Sequence, residues 1–214
     1  MTTAFVYAPA LAHTKVGHPE YHQRTAVLLP ALQEANLVDK MHRLSPQAAT
    51  VAQLRFGHTA GLIEQVRLVS KRGGGTLDYG DTYATADSYE LARVAAGSCC
   101  VAVDASMQGE VANGLALVRP PGHHAEHDNI SGFCLFNNVA IAARQAQRAH
   151  GAKRVAIIDI DVHHGNGTQD IFYEDGSVFF ASTHLFARGF YPGSGGRKEI
   201  GRGAGEGLTL TVPL

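Results

Sequence analysis

The sequence predicts an α/β protein built on an open, mainly parallel β-sheet, and three observations support this fold class. Short apolar runs alternate along the chain with amphipathic stretches, as strands alternate with helices in such folds. The run "RVAIIDIDV" (154–162) is apolar and rich in β-branched residues, which is typical of a strand buried on both faces. No internal repeat or low-complexity linker interrupts the pattern, so residues 1–214 are predicted to form one domain.

The elements follow in order from local signals. The predicted strands are 3–8, 114–122, 154–162, 177–183 and 208–214, and the predicted helices are 22–36, 47–71, 88–107 and 137–151. Ser88 and Asn137 are candidate N-caps, Gly151 is placed to end the last helix, and the prolines of "RPPG" stop the second strand. The polar stretch 73–88 is too long for a simple connector, so we expect a functional loop there.

Composition limits the possible partners and compartments. A formal net charge of −1 argues against nucleic acid or an anionic membrane as a partner, and no run reaches the roughly 18 apolar residues of a membrane span. The opening residues lack a basic region followed by a long apolar run, so no signal peptide is predicted. Three cysteines do not make a disulfide framework, so we expect reduced thiols and a soluble, cytoplasmic protein.

A cluster of ionisable groups follows the strand at 154–162. In "DIDVHHGNG", alternation along a strand would put Asp159, Asp161 and His163 on one side and His164 on the other, unless the strand has already turned. Two buried carboxylates repel each other and are costly to desolvate, and a divalent cation removes both problems. Asp161 and His163 supply ligands that suit zinc, iron or manganese, and the alternative is a structural Asp–His ion pair.

A second histidine pair lies in "RPPGHHAEHD". His123 and His124 follow a strand end and two prolines, which stiffen the backbone that positions them. Adjacent imidazoles on a rigid turn suit a general base with an electrostatic partner, and Asp159 is the natural orienting group for one of them. The alternative is a pair of surface histidines.

Three motifs in this order resemble the histone deacetylase superfamily. They are "RPPGHHA" (119–125), "GFCLFNNVAIAA" (132–143) and "DIDVHHGNGTQ" (159–169), and "GHPEYHQR" (17–24) is similar to the family's N-terminal motif. The resemblance runs from about residue 7 to the end of the chain and is nearest to the class II and bacterial deacetylase-like amidohydrolase branch. It implies a three-layer α/β/α sandwich of the arginase/deacetylase type. It also implies hydrolysis of acetyl-lysine, or a related acetylated amine, to acetate and a free amine.

The resemblance also implies roles for individual residues. Asp161 and His163 would bind Zn²⁺, with Fe²⁺ or Mn²⁺ as alternatives. His124 would be the general base or acid and His123 its electrostatic neighbour. Asp159 would pair with His123, and Asn166, where some members have aspartate, would orient His124.

Substrate and potassium sites are implied in the same way. The residues implied for substrate binding are Gly132 and Phe133 with Phe190 or Tyr191 along a narrow tunnel, and Asp81 at its rim. A structural K⁺ ion would lie near Asp159, Asp161, His163 and Ser182. An acetylated protein, a peptide or a small amine such as an acetylpolyamine would fit such a tunnel.

Two family features are missing from this sequence. The family's third zinc ligand is an aspartate in a later motif, and no aspartate follows Asp175. Its oxyanion donor is a tyrosine after two glycines, and the one tyrosine after Tyr173 is Tyr191, in the tunnel motif. Glu199 and Glu206 could replace the third ligand, but both lie in a glycine-rich loop, which disfavours them.

We therefore expect this chain to be the N-terminal two-thirds of a deacetylase domain, with weak metal binding and little turnover in isolation. The alternatives are a catalytically inactive remnant or scaffold protein and, less favoured by "PPGHH" and "GFCLFNN", a manganese ureohydrolase.

Overall fold

The computed structural model describes residues 2–214 and contains two parallel three-stranded sheets. The first has the order β2-β1-β5, with β1 at Thr3–Ala8, β2 at His42–Arg43 and β5 at Asn113–Val118. The second has the order β6-β7-β8, with β6 at Val155–Asp159, β7 at Val178–His184 and β8 at Thr209–Pro213. A short antiparallel hairpin joins β3 (Gly74–Thr76) to β4 (Tyr83–Thr85).

Seven α-helices are found among residues 2–214. They are α1 (Gln23–Ala26), α2 (Leu28–Glu34), α3 (Val51–Leu54), α4 (Ala60–Lys71), α5 (Ser88–Met107), α6 (Asn138–His150) and α7 (Asn166–Phe172). The predicted mixed α/β class with mainly parallel strands is confirmed. The predicted single sheet is in two pieces, because β5 and β6 are not hydrogen-bonded to each other in the described chain.

The main hydrophobic core lies around α5, which packs against α6, β1 and β5. Gly97 in this helix allows the closest approach: a Cβ there would lie 2.2 Å from the carbonyl oxygen of Gln47 and 2.4 Å from the amide nitrogen of Ala49. The helix therefore packs directly on the backbone that leads into α3, and only glycine fits at this crossing.

The predicted helix over 47–71 is wrong, because two threonines start separate helices within it. Thr50 has an extended backbone and forms a capping box with Gln53, and Thr59 has an extended backbone and caps α4. Between the helices, the amide of Thr59 donates to the carbonyl of His127, and the His58 ring bonds to the carbonyl of Glu126. These tertiary contacts end α3, and local propensity could not reveal them.

Three smaller predictions also need correction. The helix predicted over 22–36 is split between α1 and α2, where Pro30 has no amide hydrogen for the carbonyl of Ala26. Ser88 does not cap α5; its hydroxyl instead accepts from the amide of Thr85 and pairs with the ring of His13. The stretch predicted as a loop over 73–88 contains the β3-β4 hairpin.

Other elements match the predictions. Asn137 caps α6 by accepting from the amide of Ala140, and Gly151 ends it in the left-handed conformation with φ +70°. Cys99, Cys100 and Cys134 are all free, as expected for reduced thiols. Among residues 2–214, no helix has the length and hydropathy that a membrane span requires.

Buried neutral histidines make the stability of this fold depend on pH. His58 is fully buried, and its burial lowers its pKa from 6.5 to about 4. Burial, and then the Arg119 cation, lower the pKa of His13 to about 3. Between these values and 6.5 the unfolded chain binds protons that the folded chain does not, so stability is lost as the pH falls through this range. We expect each histidine to cost about 2 kcal/mol of unfolding free energy between pH 7 and pH 5.

Urea unfolding at pH 7 and pH 5 measures this loss. The variant His58→Gln should lose about 2 kcal/mol of the pH dependence, because one of the buried histidines with a lowered pKa is gone. The control His42→Gln, at an exposed position, should keep it. A His58→Gln variant with the parent's full pH dependence would contradict the prediction.

Candidate active site

The candidate site forms where the chain leaves β5 and β6 at the carboxyl ends of these parallel strands. The segment after β5 carries His123 and His124, and the segment after β6 carries Asp161 and His163. Strand β6 ends at Asp159 and not at residue 162 as predicted, since the Asp159 Oδ1 atom accepts a hydrogen bond from the Asp161 amide at 3.1 Å. This turn brings the polar groups of both segments together, although regular strand alternation no longer applies there.

Asp159 and His123 form the pair expected from the sequence. The Asp159 Oδ2 atom lies 2.9 Å from Nδ1 of His123, and both side chains are largely buried. A carboxylate only accepts hydrogen bonds, so the proton of this contact is on Nδ1 of His123. Nε2 of His123 lies 4.0 Å from Asp161.

His124 pairs with Asn166, the first residue of α7, as also expected. Its Nδ1 atom lies 2.7 Å from Oδ1 of Asn166, and its ring centroid lies 4.0 Å from that of His123. Burial, and then the neighbouring His123, lower the pKa of His124 from 6.5 to about 4. His124 is therefore neutral near pH 7, which is the state that a general base requires.

Asp161 and His163 are the metal-donor pair predicted from the sequence. The Asp161 Oδ1 atom lies 3.0 Å from Nδ1 of His163 and accepts from the His163 amide at 2.8 Å. Burial raises the pKa of Asp161, but the hydrogen bond from the His163 amide and the charge of His123 outweigh it and hold this pKa below its usual value. The site thus offers an ionised oxygen donor beside an imidazole nitrogen.

The donor set fits zinc in part. One carboxylate oxygen and one imidazole nitrogen are ligands that zinc accepts, whereas catalytic zinc sites normally use three protein ligands. No cluster of three His, Cys, Asp or Glu side chains within residues 2–214 is placed to hold a metal ion. Glu199 does not supply a third donor, because its carboxylate accepts from Gln169 and from the amides of Gly195 and Gly196.

A cleft of about 820 Å³ leads to these groups. Predicted site residues that line it are His123, His124, Asp161, His163, Gly132, Phe133, Tyr191 and Asp81. Gly132 lets the wall approach closely: it has φ +56°, and a Cβ there would lie 2.3 Å from the His124 ring. The exposed side chain of Asp81 lies at the mouth, 3.8 Å from Nε2 of His18.

The two aromatic candidates of "GFYPG" have different positions. The Tyr191 ring lines the cleft edge-on to His124, with 4.8 Å between the centroids. Phe190 is not among the residues lining the cleft and stacks instead on His163, with centroids 5.0 Å apart and nearly parallel rings. Tyr191 is therefore placed to contact a molecule in the cleft, and Phe190 packs on the His163 ring instead.

Four other residues singled out in the sequence do not line the cleft. Asp159 and Asn166 support the two histidines without lining it. Ser182 is buried next to Asp159 in the register of β6 and β7, and its hydroxyl lies 2.9 Å from Nδ1 of His184. His164 is fully buried and bonds to Ser194 and Gln169, so it points away from the site.

Sequence reasoning missed the residues that hold the wall of the cleft. The Phe133 amide donates to the hydroxyl of buried Thr82 at 2.9 Å, and the His18 ring packs edge-on against Phe133. Buried Glu20 and Arg119 form an ion pair at 2.6 Å beneath the same wall. The motif "GHPEYHQR" was the one signal that could have indicated His18 and Glu20. No pattern in the sequence around Thr82 indicated its role.

Comparison with known proteins agrees with this geometry. Residues 18–214 match the family model described as the histone deacetylase domain. The crystal structure of the HDA15 HD domain superposes with a TM-score of 0.95 at 39% identity, covering 100% of this chain and 62% of that one. The chain therefore belongs to the histone deacetylase domain family.

Curated relatives are similar over nearly the whole chain. "Histone deacetylase 10, chloroplastic" of Oryza sativa subsp. japonica is 41% identical, covering 97% of this chain and 50% of that protein. "Histone deacetylase-like amidohydrolase" of Pseudomonas aeruginosa is 40% identical, covering 98% of this chain and 54% of that protein. "Polyamine deacetylase HDAC10" of Rattus norvegicus is 38% identical, covering 100% of this chain and 39% of that protein. The chain thus spans about half the length, or less, of these relatives.

Proposed function

We propose that this chain carries the histidine pair and part of the metal site of a zinc-dependent deacetylase. The reaction is the hydrolysis of acetyl-lysine, or a related acetylated amine, to acetate and free amine. The observation that carries the proposal is the meeting of a neutral buried imidazole, His124, with the Asp161–His163 donor pair at the end of one cleft. The family membership and the names of the relatives support the same reaction class.

In this proposal Asp161 and His163 hold the metal together with a third donor. Zinc, or iron(II) or manganese(II) in its place, would polarise the amide carbonyl and lower the pKa of a water molecule. The K⁺ ion expected from the resemblance would be structural, near Asp159, Asp161, His163 and Ser182. Neither ion takes part in the proton transfers assigned below to the chain's own residues.

The proposed chemistry of the protein groups follows from their geometry. Nε2 of His124 accepts the proton as water attacks the carbonyl, and the proton then passes to the leaving amine. Asp159 orients His123, Asn166 orients His124, and the rings of Phe133 and Tyr191 contact the aliphatic part of the acylated chain. Asp81, exposed at the mouth, accepts hydrogen bonds from the substrate backbone or from an amine.

The proposal specifies the substrate as a class, which is an acetylated protein or peptide, or a small acetylated amine. Asp81 and Asp78 both line the cleft, and a carboxylate there suits both an amide backbone and a polyamine cation. We retain a cytoplasmic location as part of the proposal, on the basis of the cysteine content.

Acetate release by the full-length gene product tests the proposal. We expect release from an acetyl-lysine peptide or from acetylspermidine, a loss of about 100-fold or more on removing the metal with a chelator, and recovery on adding zinc. Asp161→Asn should lower zinc content by elemental analysis as well as activity, whereas Asp39→Asn, at an exposed carboxylate that does not line the cleft, should keep the zinc. Chelator-resistant release, or no release from either substrate by the zinc-loaded protein, would contradict the proposal.

A further inference from the structure

A chain of three polar side chains runs back from His124. Nδ1 of His124 lies 2.7 Å from Oδ1 of Asn166, and Nδ2 of Asn166 donates to Oε1 of Glu126 at 2.7 Å. The other carboxylate oxygen, Oε2, accepts from Nδ2 of Asn129 at 3.2 Å. We propose that Glu126 is a positioning residue that sets the amide orientation of Asn166 and, through it, the tautomer of His124. The catalytic consequence rests on the proposed function, while the tautomer itself does not.

The orientation follows from which atoms can donate. A carboxylate has no hydrogen to give, so Glu126 can accept only from the NH₂ group of Asn166. The amide oxygen must then face His124, and an oxygen acceptor requires the proton to be on Nδ1. The lone pair of neutral His124 is therefore on Nε2, the nitrogen that a general base needs to direct at the cleft.

Without Glu126 the amide of Asn166 loses this constraint. A carboxamide has a donor and an acceptor end of nearly equal shape, so a flip costs little when nothing else discriminates between them. In the flipped state the NH₂ group would donate to Nδ1 of His124, and the imidazole proton would move to Nε2. That tautomer cannot accept a proton from a water molecule in the cleft.

The tautomer of His123 is defined by a single direct contact, without an intervening amide. Its Nδ1 faces the Asp159 carboxylate directly, so no second group is needed to define its tautomer. At His124 the neutral amide separates the ring from the carboxylate, which keeps the negative charge one residue further from the imidazole. The arrangement defines the tautomer without placing a carboxylate directly against the ring.

Glu126 is itself held in place by its backbone. Its amide donates to the carbonyl of Asn129 at 2.9 Å, and its carbonyl accepts from Nδ1 of His58 at 2.9 Å. Nε2 of His58 in turn accepts from the amide of Asn137 at 2.8 Å, so the proton of His58 is on Nδ1. Fully buried His58 thus anchors the backbone of Glu126, while Asn166 contacts its side chain.

The start of α7 is fixed against the same segment. A Cβ on Gly167 would lie 2.4 Å from the carbonyl oxygen of Ala125 and 2.5 Å from the carbonyl carbon of His124, so only glycine allows this approach. The Thr168 amide also donates to the carbonyl of His123 at 3.1 Å. The backbones that carry His124, Glu126 and Asn166 are therefore held together independently of the three side chains, which lets a side-chain substitution be tested without moving the backbone.

Nitrogen-15 NMR of the imidazole rings tests the inference in the 214-residue chain near neutral pH. In the parent we expect His124 almost entirely as the Nδ1–H tautomer. In Glu126→Ala the Nε2–H tautomer should become a comparable or larger population. Glu126→Gln offers Asn166 both a donor and an acceptor and should also allow the Nε2–H form, which provides a second variant if the alanine variant folds poorly.

Two further variants separate positioning from charge and packing. In Glu126→Ala/Asn166→Asp, the new carboxylate contacts His124 directly and should restore the Nδ1–H tautomer. Glu174→Gln is the matched control. Glu174 and Glu126 line the same polar cleft, which is not the cleft that leads to His124. Glu174 pairs with Arg202 and not with Asn166, so the tautomer of His124 should stay as in the parent. Retention of the Nδ1–H form in both single variants of Glu126, or its loss in Glu174→Gln, would overturn the inference.

Activity provides the catalytic half of the test in the full-length gene product. Glu126→Ala should lower kcat by about 10- to 100-fold with little change in KM, since an outer partner of a reacting group is lost, and the double variant should recover part of the loss. If the tautomer changes as expected while the parent releases no acetate, the proposed function is wrong and the structural inference stands. If the parent is active and Glu126→Ala keeps both the parent tautomer and the parent kcat, the inference is wrong and the proposed function stands.

Discussion

Replacing Arg119 by methionine is expected to lower the free energy of unfolding by about 3–5 kcal/mol, the cost of leaving a buried charge without its partner. The Arg119 side chain is 2% exposed and that of Glu20 is fully buried. Nε of Arg119 donates to Glu20 at 2.6 Å, and its two terminal nitrogens donate to the carbonyls of Pro9, Ala10 and His13. Methionine fills much of the volume but satisfies none of these acceptors.

Urea unfolding of matched variants distinguishes this mechanism from a loss of packing. Arg24 also bonds to Glu20, but its side chain is half exposed, so Arg24→Met should cost no more than about 1 kcal/mol. Glu20→Gln combined with Arg119→Met removes the unpaired charge and should recover part of the stability. If Arg119→Met costs no more than Arg24→Met, the buried pair does not have the importance assigned here.

This ion pair also connects stability to the site. Glu20 lines the cleft, and its carbonyl accepts from the hydroxyl of Tyr83 at 2.9 Å. Arg119 is the residue after β5, four positions before the histidine pair. The pair therefore fastens the N-terminal segment to the turn that carries His123 and His124, and we expect its loss to loosen the cleft wall before the whole domain unfolds.

Replacing His124 by glutamine is expected to lower kcat/KM for acetate release by about 100- to 10,000-fold in the full-length gene product. Glutamine is close in size and can donate to Oδ1 of Asn166 as the imidazole does, so the fold should change little. It has no basic nitrogen, however, and cannot take the proton from attacking water. The effect should appear mainly in kcat, because the cleft that binds the acyl chain is retained.

The matched control is His127→Gln, three residues further on in the same motif. His127 is exposed, and its ring bonds to the carbonyl of Gly57, away from the cleft. Its activity should stay close to that of the parent, and thermal unfolding of both variants checks that the fold is intact. Equal losses in the two variants would remove His124 from the proposed base role.

Much of the fold could be predicted from the sequence because the decisive signals were local. The apolar, β-branched run before Asp159 and the cap residues of α6 specify a strand and a helix through the neighbours of each residue alone. The contacts of His123 with Asp159 and of His124 with Asn166 came instead from the resemblance, and both are present. Their catalytic roles, like the zinc and potassium sites, stay predictions.

Other features depend on groups that are distant in the chain. The break between α3 and α4 follows from bonds of His58 and Thr59 to residues nearly 70 positions away, and no helix propensity reflects them. The chain turns after Asp159 because the Asp159 carboxylate accepts a hydrogen bond from the Asp161 amide. The alternation of side chains along a strand does not predict such a bond.

By itself, then, the sequence determined the fold class, the main strands, helices α5 and α6, and the residue types that meet at the site, since each depends on periodicity, capping or a motif that is contiguous in the chain. Only the tertiary structure decided that Glu126 stands behind Asn166, that Arg119 and Glu20 are buried together, and that Tyr191 and not Phe190 lines the cleft. The physical reason is that hydrogen-bond direction and burial are properties of groups brought together from separate segments, and they have no values until the chain has folded.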